Sequence, residues 1–352
     1  MTPFIYSARP ARVVFGDGTL DQLPDELARL QISRPFLIGT PSQASAVDRT
    51  MAALGDRVAH YWPNPVMHTP VEITEQALAA LKQSGADGIM AIGGGSAIGL
   101  SKALALHTDF DQILVPTTYS GSEMTAVLGQ TRDGVKTTTQ SDRFMAETVI
   151  YDVELTMSLP RTLSGLSGMN AIAHAVEALY AANSNPVTDL MAEEAIRAMA
   201  GALPLLASDP SDRQARSDVL YGAWLCSQVL GMTTIGLHHK LAHVCGGSFN
   251  LSHAHTHTIL LPHSLAYNAP AVQPAIRRMA RALRREDVPQ ALRDIAEAFG
   301  APRGLKEIGM PEDGIDRAVE TVFLNPYDNP RPLDRAAIHA LIARAWAGEM
   351  PL

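Results

Sequence analysis

The feature that most constrains this chain is a change of texture near Leu159-Pro160. Before it, short apolar runs alternate with stretches of helical period. ARVVF, RPFLIG, RVAHYW, DGIMAI and QILVP read as strands, most of them bounded by glycine or proline. Between them LDQLPDELARLQ, a stretch from Ser42 to Leu54, another from Val71 to Ser84, and AIGLSKALALH read as helices. Strand–helix alternation of this kind predicts a doubly wound, mostly parallel sheet with helices on its faces. After Leu159-Pro160 the segments LSGMNAIAHAVEALYAA, TDLMAEEAIRAMAGALPLLAS, DVLYGAWLCSQVLG and ILLPHSLAYNAPAVQPAIRRMARAL are helical, with no β pattern of comparable strength. The second half is therefore expected to be all-α. Single cores stop growing near roughly 250–300 residues, so 352 residues predict two domains, with 1–157 as the α/β part and 158–352 as the helical part.

Charge and cysteine usage narrow the function. A formal net charge of −8, from 28 basic and 36 acidic residues, argues against a nucleic-acid or anionic-membrane surface. The two cysteines, Cys226 and Cys245, are too few for a disulfide framework and fit a reducing cytoplasm. MTPFIYSARPARVVF lacks the apolar core of a signal peptide, and no apolar run approaches the roughly 18 residues of a membrane span. The expectation is a cytoplasmic protein.

Gly93-Gly94-Gly95-Ser96 stands between the strand GIMAI and the helix AIGLSKALALH. Glycines let a backbone approach a phosphate, and a helix N-terminus offers free N–H donors. A tight turn would explain the glycines as well, since GGGS is not the dinucleotide fingerprint. Its place at the carboxyl end of a parallel strand favours the phosphate. Thr117, Thr118, Ser120 and Ser122 of VPTTYSGSE follow the next strand and add hydroxyls beside the same crevice.

Histidine is concentrated elsewhere. Seven of the twelve histidines fall within the 26 positions from His238 to His263. His239 and His243 stand four apart in HHKLAHVCGG and share a helix face, which the Gly246-Gly247 pair is expected to end. His253 follows 14 positions after His239 (253 − 239), and His253 and His257 repeat the spacing of four. Imidazoles at such spacings suit metal ligation, proton transfer or anion binding. The helix SGMNAIAHAVEALYA sets Asn170, His174 and Glu177 on one otherwise apolar face. They form either a core hydrogen-bond network or a face that meets the histidine cluster.

Taken together, GGGS, PTTYSGSE, GMNAIAHAVEA and HHKLAHVCGG followed by SHAHTHTILLPH resemble the iron-containing alcohol dehydrogenase family in order and spacing, from RVVFGDGTL to NPYDNPRP. The resemblance implies the dehydroquinate synthase-like fold, a nucleotide-binding α/β domain followed by a helical catalytic domain. It places the nicotinamide nucleotide, NADH or NADPH, on Gly93, Gly94, Gly95, Ser96, Thr117, Thr118 and Ser122. The family holds a metal by an Asp and a His four apart on one helix and two later histidines; the matching positions are Asn170, His174, His239 and His253. Asn170 stands where the family has its one anionic ligand, and a neutral amide is a weak donor to a divalent ion. Gly99 likewise stands where many relatives have an Asp. The expectation is that no metal is required and that the site is vestigial.

Within the family the pattern resembles the branch that reduces 4-oxohex-2-enedioate late in aromatic-ring catabolism. This dicarboxylate has a double bond conjugated to its ketone, so hydride addition leaves an enolate that needs donors and a proton rather than a Lewis acid. His243 and His253 are the leading candidates for that work, with His174, His239 and His257 behind them. Lys240 and Arg331 are candidates to pair with the substrate's carboxylates, although Arg331 could equally anchor its own loop. The resemblance also implies a homodimer. Two alternatives stand beside this reading: a metal-dependent alcohol or aldehyde reductase that tolerates Asn170, and a metal-sequestering binding protein, which leaves the GGGS half without a use.

Overall fold

The computed structural model describes residues 4–6, 11–132, 135–324 and 327–351. Two compact units divide the chain, Ala8–Leu159 and Pro160–Leu352. The break follows Leu159 rather than residue 157 because a helical turn, Val153–Thr156, prolongs the last strand and the Leu159 N–H closes on the Thr156 carbonyl. Phe4–Tyr6 group with the second unit, not the first as expected.

The first unit runs β1 (Arg12–Gly16), α1 (Leu23–Arg29), β2 (Pro35–Gly39), α2 (Ala44–Leu54), β3 (His60–Trp62), α3 (Val71–Ser84), β4 (Gly88–Gly93), α4 (Gly95–Leu106), β5 (Gln112–Pro116), β6 (Val127–Arg132), β7 (Val135–Gln140) and β8 (Thr148–Asp152). Six strands form one sheet in the order β1-β8-β5-β4-β2-β3, and every pairing in it is parallel. Strands β2, β4, β5 and β8 are buried along their whole length, as a sheet covered on both faces requires. The chain steps from β2 outward to β3, then returns past β2 to β4, β5 and β8. Direction therefore reverses between β2 and β4, and the crevice at a doubly wound sheet's ligand-binding edge opens at their carboxyl ends, Gly39 and Gly93.

Two features went unread in the sequence. One is the antiparallel β6–β7 hairpin, which is rich in threonine and has little buried surface to mark it. The other is β8, which only a single 3-10 turn, Asp142–Phe144, separates from β7.

The second unit is helical throughout its described residues: α5 (Arg161–Ala178), α6 (Pro186–Ser208), α7 (Arg213–Met232), α8 (Leu237–Phe249), α9 (His253–Asn268), α10 (Gln273–Leu283), α11 (Val288–Ala298), α12 (Gly314–Val322) and α13 (Arg335–Ala347). One correction concerns α8. It does not stop at Gly246-Gly247 but continues to Phe249, and Asn250 ends it in the left-handed conformation at φ 51°. Glycine inside a helix costs only about 1 kcal/mol against alanine. The Leu251 N–H then bonds the Gly246 carbonyl and closes the cap. No helix among the described residues is long and apolar enough to cross a membrane.

Helix α5 lies at the centre of this unit, with residues Ser164 to Ala178 all buried. Its Gly165 admits the ring of Phe299: a Cβ there would stand 2.1 Å from Phe299 Cγ and 2.5 Å from its Cβ. Gly201 in α6 has nothing within 4 Å of the same position. Denaturant unfolding should therefore show Gly165→Ala losing about 1–3 kcal/mol to overpacking. Gly201→Ala should gain about 0.5–1 kcal/mol. Equal effects of the two changes would show that the Phe299 contact does not limit packing here.

Candidate active site

The histidines gather around one carboxylate. On α5, Asn170, His174 and Glu177 are buried on one face, and Glu177 is 2% exposed. The N-cap of α8 is Gly236, which has no side chain to receive the free N–H groups of a helix start. Glu177 takes that place from the neighbouring helix: it accepts from the Gly236 N–H at 3.0 Å and the His238 N–H at 2.7 Å. It also accepts from His239 Nδ1 at 2.5 Å, which sets the orientation of that ring. Burial raises the Glu177 pKa, but the charge and hydrogen bond of His239, then His238 and the Gly236 N–H, outweigh it and hold the carboxyl down to about 2.

Around this anchor His174 stacks on His239 at 5.2 Å and 20° between ring planes. His239 lies 5.1 Å from His257 and 6.1 Å from His243. His253 meets His257 at 4.3 Å and stacks on His243 at 6.2 Å. All five histidines named from the sequence thus come together, through i,i+4 spacing on α8 and on α9 and one contribution from α5. A sixth, His238, belongs with them at 4.9 Å from His257. The cluster has two halves. His174, His238, His239 and His257 are buried, while His243 and His253 are exposed. Burial, and then the neighbouring imidazoles, push His174 and His257 well below their ordinary values. Burial likewise brings His238 down to about 3. His174, His238 and His257 are therefore neutral bases, and among the described residues Asn170 Oδ1, His174 Nδ1, His239 Nε2 and His257 Nε2 have no hydrogen-bond partner. Whatever occupies the pocket must satisfy them.

The first unit holds the other candidates. α4 starts at Gly95, directly after β4, and a Cβ on Gly94 would stand 3.1 Å from the Thr118 side chain. A Cβ on Gly93 would lie 3.6 Å from Thr40, so Thr40, Gly93–Gly95 and Thr118 surround the β2/β4 crevice. Ser96 is in the first turn of α4. The Thr117 N–H bonds the Gly93 carbonyl, which ties the two loops together. This cradle, open beside a helix N-terminus, fits the phosphates of a nucleotide.

Ser122 is used differently from expectation. Its carbonyl and its Oγ accept from Lys102 Nζ, which also donates to Thr125 O at 2.8 Å, Thr125 Oγ1 at 2.9 Å and Val127 O at 3.0 Å. Lys102 is fully buried, and burial pushes its pKa down to about 7, with Glu123 acting the other way. It braces the Ser122–Val127 segment.

The matches to known proteins follow the same two units. The profile described as iron-containing alcohol dehydrogenase matches residues 10–153, and that of the Fe-containing alcohol dehydrogenase family, C-terminal, matches 165–346. The chain belongs to the iron-containing alcohol dehydrogenase family. The family is one of NAD-binding oxidoreductases. The chain is 48% identical to a maleylacetate reductase of Burkholderia cepacia, with 100% of each chain covered. It is 46% identical to one of Sphingobium indicum, with 99% of each covered. The crystal structure of maleylacetate reductase from Rhizobium sp. strain MTP-10005 superposes with a TM-score of 0.96 at 46% identity, covering 100% of both chains.

The four positions that match the family's metal ligands are Asn170, His174, His239 and His253. They include no carboxylate. Among the described residues no group of three or more His, Cys, Asp or Glu side chains is placed to hold a metal ion. Lys240 donates to the Leu324 carbonyl at 2.7 Å and lies 5.5 Å over the Tyr327 ring. Arg331 donates to the Tyr267 carbonyl at 2.7 Å and lies 4.3 Å over that residue's ring. Both cations thus have partners in their own chain, and Arg331 anchors its loop. Asn325 and Pro326, the start of NPYDNPRP, lie outside the described residues.

Sequence reasoning left out His238, Lys102 and the role of Glu177. Each left a signal: adjacent histidines, a lone lysine in an apolar helix, and an acid in a helix whose other charged residue is the Arg161 at its start. Because the folded pKa of Glu177 is depressed, its stabilisation is present above the ordinary carboxylate range and is lost as pH falls toward about 2. Unfolding measured across that window should show a steep acid limb in the native protein and a flatter one in Glu177→Gln. Identical limbs would mean that the carboxylate carries no differential charge.

Proposed function

We propose that this chain reduces the conjugated double bond of maleylacetate to 3-oxoadipate with NADH or NADPH, and needs no metal to do so. The observation that carries the reading is a histidine pocket with Asn170 where an anionic ligand would be. The substrate's own chemistry suits it. A bound nicotinamide would supply hydride to C2 of the alkene; the negative charge would then rest on the enolate of C3, C4 and the ketone oxygen, and a proton from the protein would complete C3. The chain must therefore provide a donor beside the enolate oxygen and an acid beside C3. His243 and His253, exposed and stacked, can exchange protons with solvent, and we assign them the proton and electrostatic work. His239, held on Glu177, can carry a second proton on Nε2 and stabilise developing negative charge. His174 and His257 shape the pocket.

For the nucleotide, Gly39-Thr40-Pro41 ends β2 without a carboxylate that would repel a 2′-phosphate, which supports use of both coenzymes. A cytoplasmic homodimer completes the reading. The unpartnered Asn170 Oδ1, His174 Nδ1 and His239 Nε2 favour one competitor, a metal-dependent alcohol or aldehyde reductase.

The decisive assay follows oxidation of NADH, and of NADPH, by purified protein with maleylacetate before and after chelation. The rate should be unchanged by chelator, and Asn170→Asp should bind Fe²⁺ or Zn²⁺ more tightly without a faster reaction. Complete loss on chelation with recovery on added Fe²⁺ or Zn²⁺ supports the competitor instead. His243→Ala and His253→Ala should each lower turnover by a factor of order 10²–10⁴ with nucleotide binding intact. Near-normal turnover in both would remove them from the proton transfer.

A further inference from the structure

Behind His257 runs a chain of three hydrogen bonds whose direction is set at its far end. Ser264 Oγ lies 3.0 Å from the Leu261 carbonyl, to which it donates. A hydroxyl has a single proton, so in its 3.1 Å contact with His238 Nδ1 the oxygen accepts. His238 therefore has its proton on Nδ1 and offers Nε2 as an acceptor. Across the 2.9 Å contact between His238 Nε2 and His257 Nδ1, the proton must then belong to His257. That leaves His257 Nε2 bare, and it has no partner in the described structure. The opposite polarity would set the lone pairs of Ser264 Oγ against those of the Leu261 carbonyl at the same 3.0 Å. His238, His257 and Ser264 are all 0% exposed, so no solvent competes for these protons.

We infer that Ser264 and His238 are positioning residues that hold His257 in its Nδ1–H tautomer, with the Nε2 lone pair turned toward the other histidines. Each of the three contacts has one donor and one acceptor, so fixing the first fixes the others. The chain ends on a carbonyl that cannot take up a proton, so it orients a proton but does not conduct one. The consequence, which rests on the reading proposed above, is a division of labour in the pocket. His257 cannot donate to the enolate oxygen; it accepts from a water or from a protonated neighbour such as His243 or His253, and so aims the proton that reaches C3. His257 acts as an acceptor, and the donors are elsewhere.

The test pairs a spectroscopic arm with a kinetic one. Protein with isotope-labelled imidazole nitrogens is examined by long-range proton–nitrogen correlation, the His257 signals being those absent in His257→Gln. The native protein should show His257 protonated at Nδ1 only. Ser264→Ala, which removes the acceptor for His238, should mix the tautomers and lower kcat with maleylacetate by roughly 10–100-fold, the usual effect of a disturbed supporting residue. KM for NADH should not move, and Ser264→Thr, which restores the hydroxyl, should recover both the tautomer and the rate. Native His257 protonated at Nε2, or an unchanged tautomer and kcat in Ser264→Ala, would overturn the inference. So would loss of rate in Ser264→Ala with the tautomer intact, since the hydroxyl would then serve packing alone. If the native protein does not reduce maleylacetate, the proposed reaction falls while the spectroscopic arm still decides the tautomer.

Discussion

The pocket depends on where one buried negative charge finds its donors. Glu177 is almost wholly removed from water, and an unpaired carboxylate there would be very costly. Its compensation comes from the start of α8, where two backbone N–H groups and one imidazole converge on it. The same bonds dock α8 on α5 and turn His239 so that its free nitrogen faces away from the acid. His238 takes part twice: its backbone donates to Glu177, and its side chain leads to His257 and Ser264. One carboxylate thus orders two layers of histidine.

The chemistry open to the site follows from that arrangement. Four histidines are buried, three of them with depressed basicity, and two lie in contact with solvent. Neutral imidazoles such as these three can accept hydrogen bonds and present dipoles, but they do not offset the charge of a cation. The exposed pair is open to solvent. Such a division suits a reaction whose charge appears on an activated substrate oxygen and is then removed by a proton.

The α/β unit solves a different problem, that of holding two loops steady at a sheet edge. The Thr117 N–H closes on Gly93, and the Lys102 ammonium gathers carbonyls and hydroxyls from Ser122 to Val127. A cation surrounded only by acceptors fixes a segment that has little regular structure of its own. Gly99 allows a further close contact, since a Cβ there would lie 2.4 Å from Thr69 Oγ1. A larger side chain at this position would need a different course of the residues before α3.

Periodicity in the amino-acid order determined the layers. Fully buried parallel strands must be continuous apolar runs, so PFLIG and GIMAIG are legible without a partner, and i,i+4 spacing alone puts His239 with His243 and His253 with His257. Local chemistry also marked the glycine cradle before α4. Tertiary structure decided what depends on groups distant in the chain. The extent of α8 was misread because the glycine pair looked like a stop, whereas Asn250 and its neighbours provide the cap. The β6–β7 hairpin exists through pairing that no single strand encodes. Glu177 and His239 are 62 positions apart, and His238 and Ser264 are 26 apart. A hydrogen bond acts over about 3 Å in space and takes no account of separation along the chain. Residue types and spacing could therefore name the histidines, but only the packing of α5, α8 and α9 could say which nitrogen of each carries the proton.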